Sequence, residues 1–436
     1  MRYICCIILT VLLALSPLAA QDFGFGFGDY ETAGATNSAI AVSIGGEVSA
    51  TLLGYVDDFS NGMDQTRLGD IFSGKLNFFA GTSFADGVIN LKLEPSIQPV
   101  SIDEAYVRAF FGGLEIEGGL RKLTWGKADS FGPLDVINPL DYSELTDLSD
   151  PMNLKIARPL IHASYRLGSF SKIEGVFVPA FEPLRYATEG RWVPSQMAQL
   201  NRLQAMGVPV FKDDTSTLKY MQAGARFTTT IGPADFGLQY YYGRLTRPAV
   251  TMTLALPSPI PTALHFAYNP YHQIGADWAQ VLFGFNVRAE LAANLTEDFS
   301  GDDGSVYNPA LLWSLGFDRD LFWGINLNFQ CNESIRLMND KIGNNALLDI
   351  EAGTDMTSTQ IIAALSKKFL RDELEVRAAV LYEIEAGDFL LIPSLVWTRD
   401  AVSLEFSGGI FGGNKDGQFG QYRDNNFLKI ALTYSF

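Results

Sequence analysis

The feature that most constrains this chain is a series of long segments in which apolar and polar residues alternate with period two. In 323–332, Trp323, Ile325, Leu327, Phe329 and Cys331 fall on one face, and Asn326, Asn328, Gln330 and Asn332 on the other. Segment 285–296 sets Val287, Ala289, Leu291 and Leu295 against Asn286, Arg288, Glu290, Asn294 and Thr296. Segment 374–385 sets Leu374, Val376, Val380 and Tyr382 against Glu375, Arg377, Glu383 and Glu385, and 221–230 and 402–410 repeat the theme. Successive strand side chains point to opposite faces, so this period specifies strands with one apolar and one wet face. Strands of a soluble sandwich alternate too, but run to about 5–6 residues. These are longer, and match the roughly 9–11 residues of a strand that spans a bilayer.

Nearly half of the residues are hydrophobic (47%), 12% are aromatic and only 19% are charged. Beyond residue 20 no apolar run approaches the ~18 residues of a membrane helix. In lipid the remaining way to satisfy every backbone group is a closed barrel. The expected fold class is therefore all-β, a single transmembrane antiparallel barrel of about sixteen to eighteen strands. Expected strands include 39–55, 68–84, 114–126, 218–231, 262–282 and 425–436. Tight turns are expected after the even-numbered strands, at Ala85-Asp86, Gly112-Gly113, Ser169, Gly232-Pro233, Gly284, Leu321, Arg371 and Ala401. Long polar stretches follow odd-numbered strands, notably 127–158, 182–217 and 337–356. With the N-terminus in the periplasm, these would be long extracellular loops opposite short periplasmic turns.

The N-terminus reads as an export signal. Arg2 precedes the apolar run from Ile4 to Leu15, and Ser16-Pro17-Leu18-Ala19-Ala20 supplies small residues for cleavage. The expected division is a signal peptide at 1–20, a flexible periplasmic extension at 21–38 carrying the Phe-Gly triplet Phe23–Gly28, and the barrel at 39–436. Cys5 and Cys6 leave with the signal, and Cys331 alone cannot form an intramolecular disulfide. No Cys/His cluster suggests a metal, and no cofactor is expected. The net charge of -17 comes with no basic patch for nucleic acid.

Strand parity places Arg166, Arg226, Arg288, Glu290, Glu375 and Arg377 on the inner wall, with acids modestly in excess and hence a weak cation preference. Most such charges would simply pair across strands. A sharper alternative is a filter of opposed charges, whose constriction candidates are Glu104, Arg108, Glu117, Arg121, Asp129 and Asp141. The block Arg121…Trp125-Gly126…Asp129…Asn138-Pro139-Leu140-Asp141 leads into the third external loop, 127–158. That loop either packs over the rim, with a short helix near 143–148, or enters the lumen with Asp129 and Asp141 facing Arg108 and Arg121. Trp125, Tyr142, Trp192, Trp278, Trp313, Trp323 and Trp397 invite a sugar-slide or ligand reading, but an interfacial girdle explains most of them, the outward ones above all, better.

An enzyme is not expected. His162, His265 and His272 accompany no nucleophile elbow, and the pairs Asp57-Asp58 and Asp302-Asp303 read as solvated loop acids.

The terminal segment sets Leu428, Ile430, Leu432, Tyr434 and Phe436 against Lys429, Ala431, Thr433 and Ser435. It resembles the last strand of bacterial outer-membrane proteins, in which Tyr434 and Phe436 would be the signal read by the barrel-assembly machinery. In layout, the chain after residue 20 resembles porin-like outer-membrane barrels of diderm bacteria. The resemblance implies contact with outer-membrane lipid, passive diffusion of small hydrophilic solutes, and a monomer or homotrimer. Alternatives are a substrate-specific uptake channel, for example for hydrophobic compounds, and a surface adhesin or structural barrel with a closed lumen.

Overall fold

The alternating segments pair, each with its neighbour in sequence, into one antiparallel sheet that closes on itself. The computed structural model describes residues 40–57, 71–94, 98–148, 151–255 and 260–436. The segments assigned above to the signal peptide and the extension lie outside the described residues.

Eighteen strands form the barrel. They are β1 (Ala41–Tyr55), β2 (Phe72–Gly81), β3 (Ala85–Glu94), β4 (Gln98–Phe111), β5 (Leu114–Arg121), β6 (Arg158–Leu167), β7 (Ser171–Val178), β8 (Gln222–Ile231) and β9 (Ala234–Arg244). The second half comprises β10 (Pro270–Leu282), β11 (Phe285–Thr296), β12 (Ala310–Asp320), β13 (Ile325–Arg336), β14 (Thr357–Phe369), β15 (Leu374–Glu383), β16 (Asp388–Arg399), β17 (Val402–Gly413) and β18 (Phe427–Ser435). β1 pairs with both β2 and β18, so Val48 lies between Gly74 and Tyr434. At this seam Gly46 and Phe436 exchange both backbone hydrogen bonds, each 3.0 Å. Closure leaves the sheet without a free edge.

The ladder fixes which face each residue takes. Val376, Leu428 and Leu432 stand exposed on the outer face, whereas Asn328, Glu375, Arg377 and Lys429 line an interior cavity. No described helix is long and apolar enough to cross a membrane.

One rim carries short turns, such as the one through Gly112 (φ 64°) and the one through Gly232 (φ 60°), both left-handed as tight hairpins require. The other rim carries the long connections. The turn expected at Ala85-Asp86 instead lies at Thr82–Phe84, where the Thr82 N–H donates to Ala85 O at 2.7 Å. The strand expected at 114–126 ends at Arg121, because the Leu123 N–H leaves the ladder to donate to Asn138 Oδ1 at 2.8 Å.

The segment 262–282 is two strands. Pro261–Ala267 pairs with Ala249–Leu254 and Val210–Lys212 in a separate three-stranded sheet on the long connections. The break falls at Asn269-Pro270, where proline cannot donate to a ladder and Asn269 O accepts the Leu245 N–H at 3.0 Å. Residues 218–220 form a 3-10 turn ahead of β8. No helix forms at 143–148, where Asp141 draws Ser143 into a turn; a single helical turn follows at Pro151–Leu154. An unexpected helix, α1 (Ser195–Ala205), occupies the segment 182–217.

Candidate functional site

The connection between β5 and β6 folds into the barrel, and polar side chains of the far wall hold its backbone. Glu290 on β11 accepts hydrogen bonds from the N–H groups of Lys127, Ala128 (2.7 Å) and Leu134 (3.2 Å). On β13, Gln330 Oε1 accepts from the N–H groups of Asp129 (3.1 Å) and Ser130 (3.2 Å), while its Nε2 donates to Ser130 O. Gln239 and Gln273 donate to the carbonyls of Leu134 and Pro133, each at 3.0 Å. Wall amides and carboxylates thus satisfy a buried loop that would otherwise hold unpaired polar groups.

Glycines let the loop approach. At Gly126 (φ 98°) a Cβ would collide with the Glu290 carboxylate, and at Gly275 on β10 with the Leu134 side chain. Trp125, 4% exposed, packs edge-on against Tyr241 at 6.4 Å with Ile137, Leu160, Val176 and Tyr271 around it. It is a loop anchor within the barrel, where the aromatic-girdle reading does not apply.

The loop braces itself as well. Asn138 bonds Leu123, Arg121 and Ile156. Lys155 Nζ lies 2.6 Å from Asp135 and donates to Leu123 O and Thr124 Oγ1. Burial pushes the Asp135 carboxyl above its ordinary range, against the opposing pull of Lys155. Further on, Phe131, Leu145 and Leu148 reach a second apolar cluster containing Ile362, Leu381, Leu390, Phe411 and Phe427 of β14–β18. The loop therefore crosses from the β6–β11 wall towards β14–β18.

The segment 182–217 also docks. Trp192 is buried against Phe411 (5.4 Å), Tyr422 (5.5 Å) and Tyr55 (6.2 Å). It too sits inside rather than in a girdle. Tyr142 stacks on Tyr186 at 6.0 Å, joining the two segments.

Beside the loop lies a cavity of about 560 Å³ against β13–β18. Its lining divides by height along the strands. Towards the long-connection rim it is mainly apolar, with Phe131, Leu145, Leu148, Ile362, Leu381, Leu390, Ile392 and Phe427, joined on the loop side by Thr146 and Asp147. Towards the short-turn rim it is polar, with Asp129, Asn326, Asn328, Glu375, Arg377, Glu405 and Lys429.

The expected site residues fall into separate groups. Asp129 pairs with Arg288 and not with Arg108 or Arg121; it also accepts a hydrogen bond from Asn328 at 2.7 Å. Arg288 holds Asp318 as well. Asp141 is not at the cavity: Arg185 binds it at 2.9 Å within the loops. Arg108 pairs with Asp86 (2.9 Å) beside the short-turn rim, and Arg121 pairs with Glu104 (2.8 Å) at the far end of β5. The expected opposition of Asp129 and Asp141 to these arginines is therefore corrected. Parity assigns a face, but neither height along the strand nor position around the barrel.

Glu117 binds His162 Nδ1 at 2.8 Å and Arg121 at 3.4 Å; His162 Nε2 lies 3.3 Å from Glu174. Arg226 binds Asp277 at 2.6 Å. Apart from Glu117–Arg121, which lies within β5, these are cross-strand pairs of the β4–β10 wall. Arg166 is exposed near the short-turn rim, and Tyr434 and Phe436 stack at 6.4 Å at the seam. Of the loop acids, Asp57 binds Arg191 and Asp302 binds Lys341, each at 2.9 Å. Asp58 lies outside the described residues.

The apolar collar was not anticipated. Its signal was the loss of alternation in Ile361-Ile362-Ala363-Ala364-Leu365 and Phe389-Leu390-Leu391-Ile392, since a strand covered on both faces reads as a continuous apolar run.

No protein-family model and no curated protein matches the chain. Among solved structures, OccK9 (OpdG) of Pseudomonas aeruginosa is similar with a TM-score of 0.50 and 8% identity, over 91% of this chain and 97% of that one. A mutant of the Rh. blastica porin aligns over 91% and 100% with a TM-score of 0.42 and 13% identity. Salmonella typhi OmpF, in complex with daunomycin, aligns over 91% and 97% at 0.42 and 7%. At such identities the likeness is one of fold: the chain is a porin-like barrel.

Proposed function

We propose that this barrel is a passive channel of a bacterial outer membrane, admitting small hydrophilic solutes with a weak preference for cations, and not an enzyme. The observation that carries the reading is the loop between β5 and β6, described over 122–148 and 151–157, which is seated inside a closed barrel with a cavity on one side. An adhesin or structural barrel needs no such internal narrowing. The exposed apolar outer face supports a lipid environment. Asp129, Asp147, Glu375 and Glu405 outnumber Arg377 and Lys429 around the cavity, which supports the cation preference. Glu104, Arg108, Glu117 and Arg121 then serve the wall, with Asp129 and Arg288 at the narrowing.

Residues 1–20 would direct export, residues 21–38 would precede the barrel in the periplasm, and Tyr434 and Phe436 would engage the assembly machinery. A homotrimer fits this reading as a monomer does. The test is planar-bilayer recording of the purified full chain. Discrete conductance steps with a reversal potential displaced towards the cation potential are expected. A barrel that passes no current would overturn the proposal.

A further inference from the structure

Two charged side chains on the cavity wall have no partner among the described residues. Glu375 and Arg377 are two residues apart on the inner face of β15, about 7 Å along the strand. Neither makes an ion pair or side-chain hydrogen bond with any described residue, and they do not pair with each other. Their neighbours in register towards β16 are Val396 and Ser394, which offer no charge. Towards β14 they are Lys368, exposed and unpaired with Glu375, and Ser366. The other cation of this cavity, Lys429, is engaged by Glu405 at 3.3 Å.

Directly above them, the partly exposed Ile392, Phe131 and Leu148 border the cavity, backed by the buried cluster of Leu145, Leu381 and Leu390. A solute in this cavity meets that apolar surface beside a carboxylate and a guanidinium that have no partner among the described residues. We propose that this wall is a binding site for a zwitterion with an apolar body, an α-amino acid bearing an aliphatic or aromatic side chain. Glu375 takes the ammonium, Arg377 takes the carboxylate in its planar fork, and the collar takes the side chain. Adjacent opposite charges on one small solute match adjacent opposite charges on one strand. A bare ion would leave one of the two unmatched. The inference rests on the channel reading, and it names a solute class for it.

The test is bilayer recording in potassium chloride with L-leucine, glycine, leucinamide or N-acetyl-leucine added, each block scaled to the open current of the same variant. Leucine is expected to block at a concentration at least about tenfold below the other three. Glu375→Gln and Arg377→Gln are each expected to raise that concentration by about tenfold. Glycine as potent as leucine would remove the collar from the site. Leucinamide or N-acetyl-leucine as potent as leucine would show that only one of the two charges is used. Either result, or block unchanged in both variants, overturns the proposal while conduction persists. Absence of any conductance would instead strike the channel reading itself.

Discussion

Glu290, on the inner face of β11, accepts the backbone N–H of Leu134 at 3.2 Å from a loop 156 residues away in sequence. The same carboxylate holds Lys127 and Ala128. Removing it strands buried donors, at a cost of about 1–3 kcal/mol each. Glu290→Ala should therefore free the loop, raise single-channel conductance and open the 127–134 backbone to protease. Glu290→Gln keeps one acceptor oxygen and should fall between it and the native chain.

Asp129 borders the cavity whereas Asp141 is bound to Arg185 elsewhere. Asp129→Asn should lower the cation-to-anion permeability ratio, by roughly twofold to fivefold for a wet charge worth at most about 1 kcal/mol. Asp141→Asn should leave the ratio unchanged. Reversal potentials under a salt gradient compare the two directly. A shift in the Asp141 variant alone would place the narrowing in the outer loops.

Lys155 and Asp135 predict a pH effect with a definite sign. Burial holds the Asp135 carboxyl above its ordinary value, and Lys155 pulls it back. Breaking a buried pair by removing one partner costs about 3–5 kcal/mol. In Lys155→Met the carboxyl should climb further. A group raised in the folded state favours folding below its ordinary value and loses that contribution as pH rises through the raised one. The variant loop should thus be looser at pH 8 than at pH 5, read as higher conductance, with a smaller difference in the native chain. A variant looser at pH 5 would contradict this.

Trp192 clasps the 182–217 segment to Phe411, Tyr422 and Tyr55. Truncating a buried tryptophan costs about 3–5 kcal/mol. Trp192→Ala should expose this segment to limited proteolysis while the barrel remains intact by heat-modifiable gel mobility. An unchanged cleavage pattern would mean that the helix Ser195–Ala205 is held by other contacts.

The strands were legible wherever one face meets lipid and the other water, as in Asn326, Asn328 and Gln330 against Leu327, Phe329 and Cys331. The rule weakens where the interior is itself apolar. Ile362 and Leu390 therefore gave no sign of their facing, and the collar went unread. The inward course of the loop was only half legible: Gly126, with no Cβ, marked a place where the chain can turn inward, but Trp125 read as a girdle residue and a loop over the rim fitted the sequence equally. Its partners Glu290 and Gln330 were not, because nothing local marks a carboxylate or amide that will meet a backbone across the barrel. Arg108 and Arg121 look equivalent by parity, yet sit at opposite ends of their strands and neutralise different acids.

Gly46 and Phe436 exchange their backbone hydrogen bonds across nearly the full length of the chain. Every other barrel pairing joins strands consecutive in sequence, so sixteen or seventeen strands can zip together locally and still form an open ribbon. Such a ribbon has two raw margins able to capture another copy. The order of events is then constrained: the ring can be sealed only after its final strand arrives, and whatever escorts the chain must shield both margins until that moment. Shortening the chain by a single strand would not give a smaller ring with the same seam. It would remove the partner that covers the outer margin of the first strand, whose other margin β2 already fills.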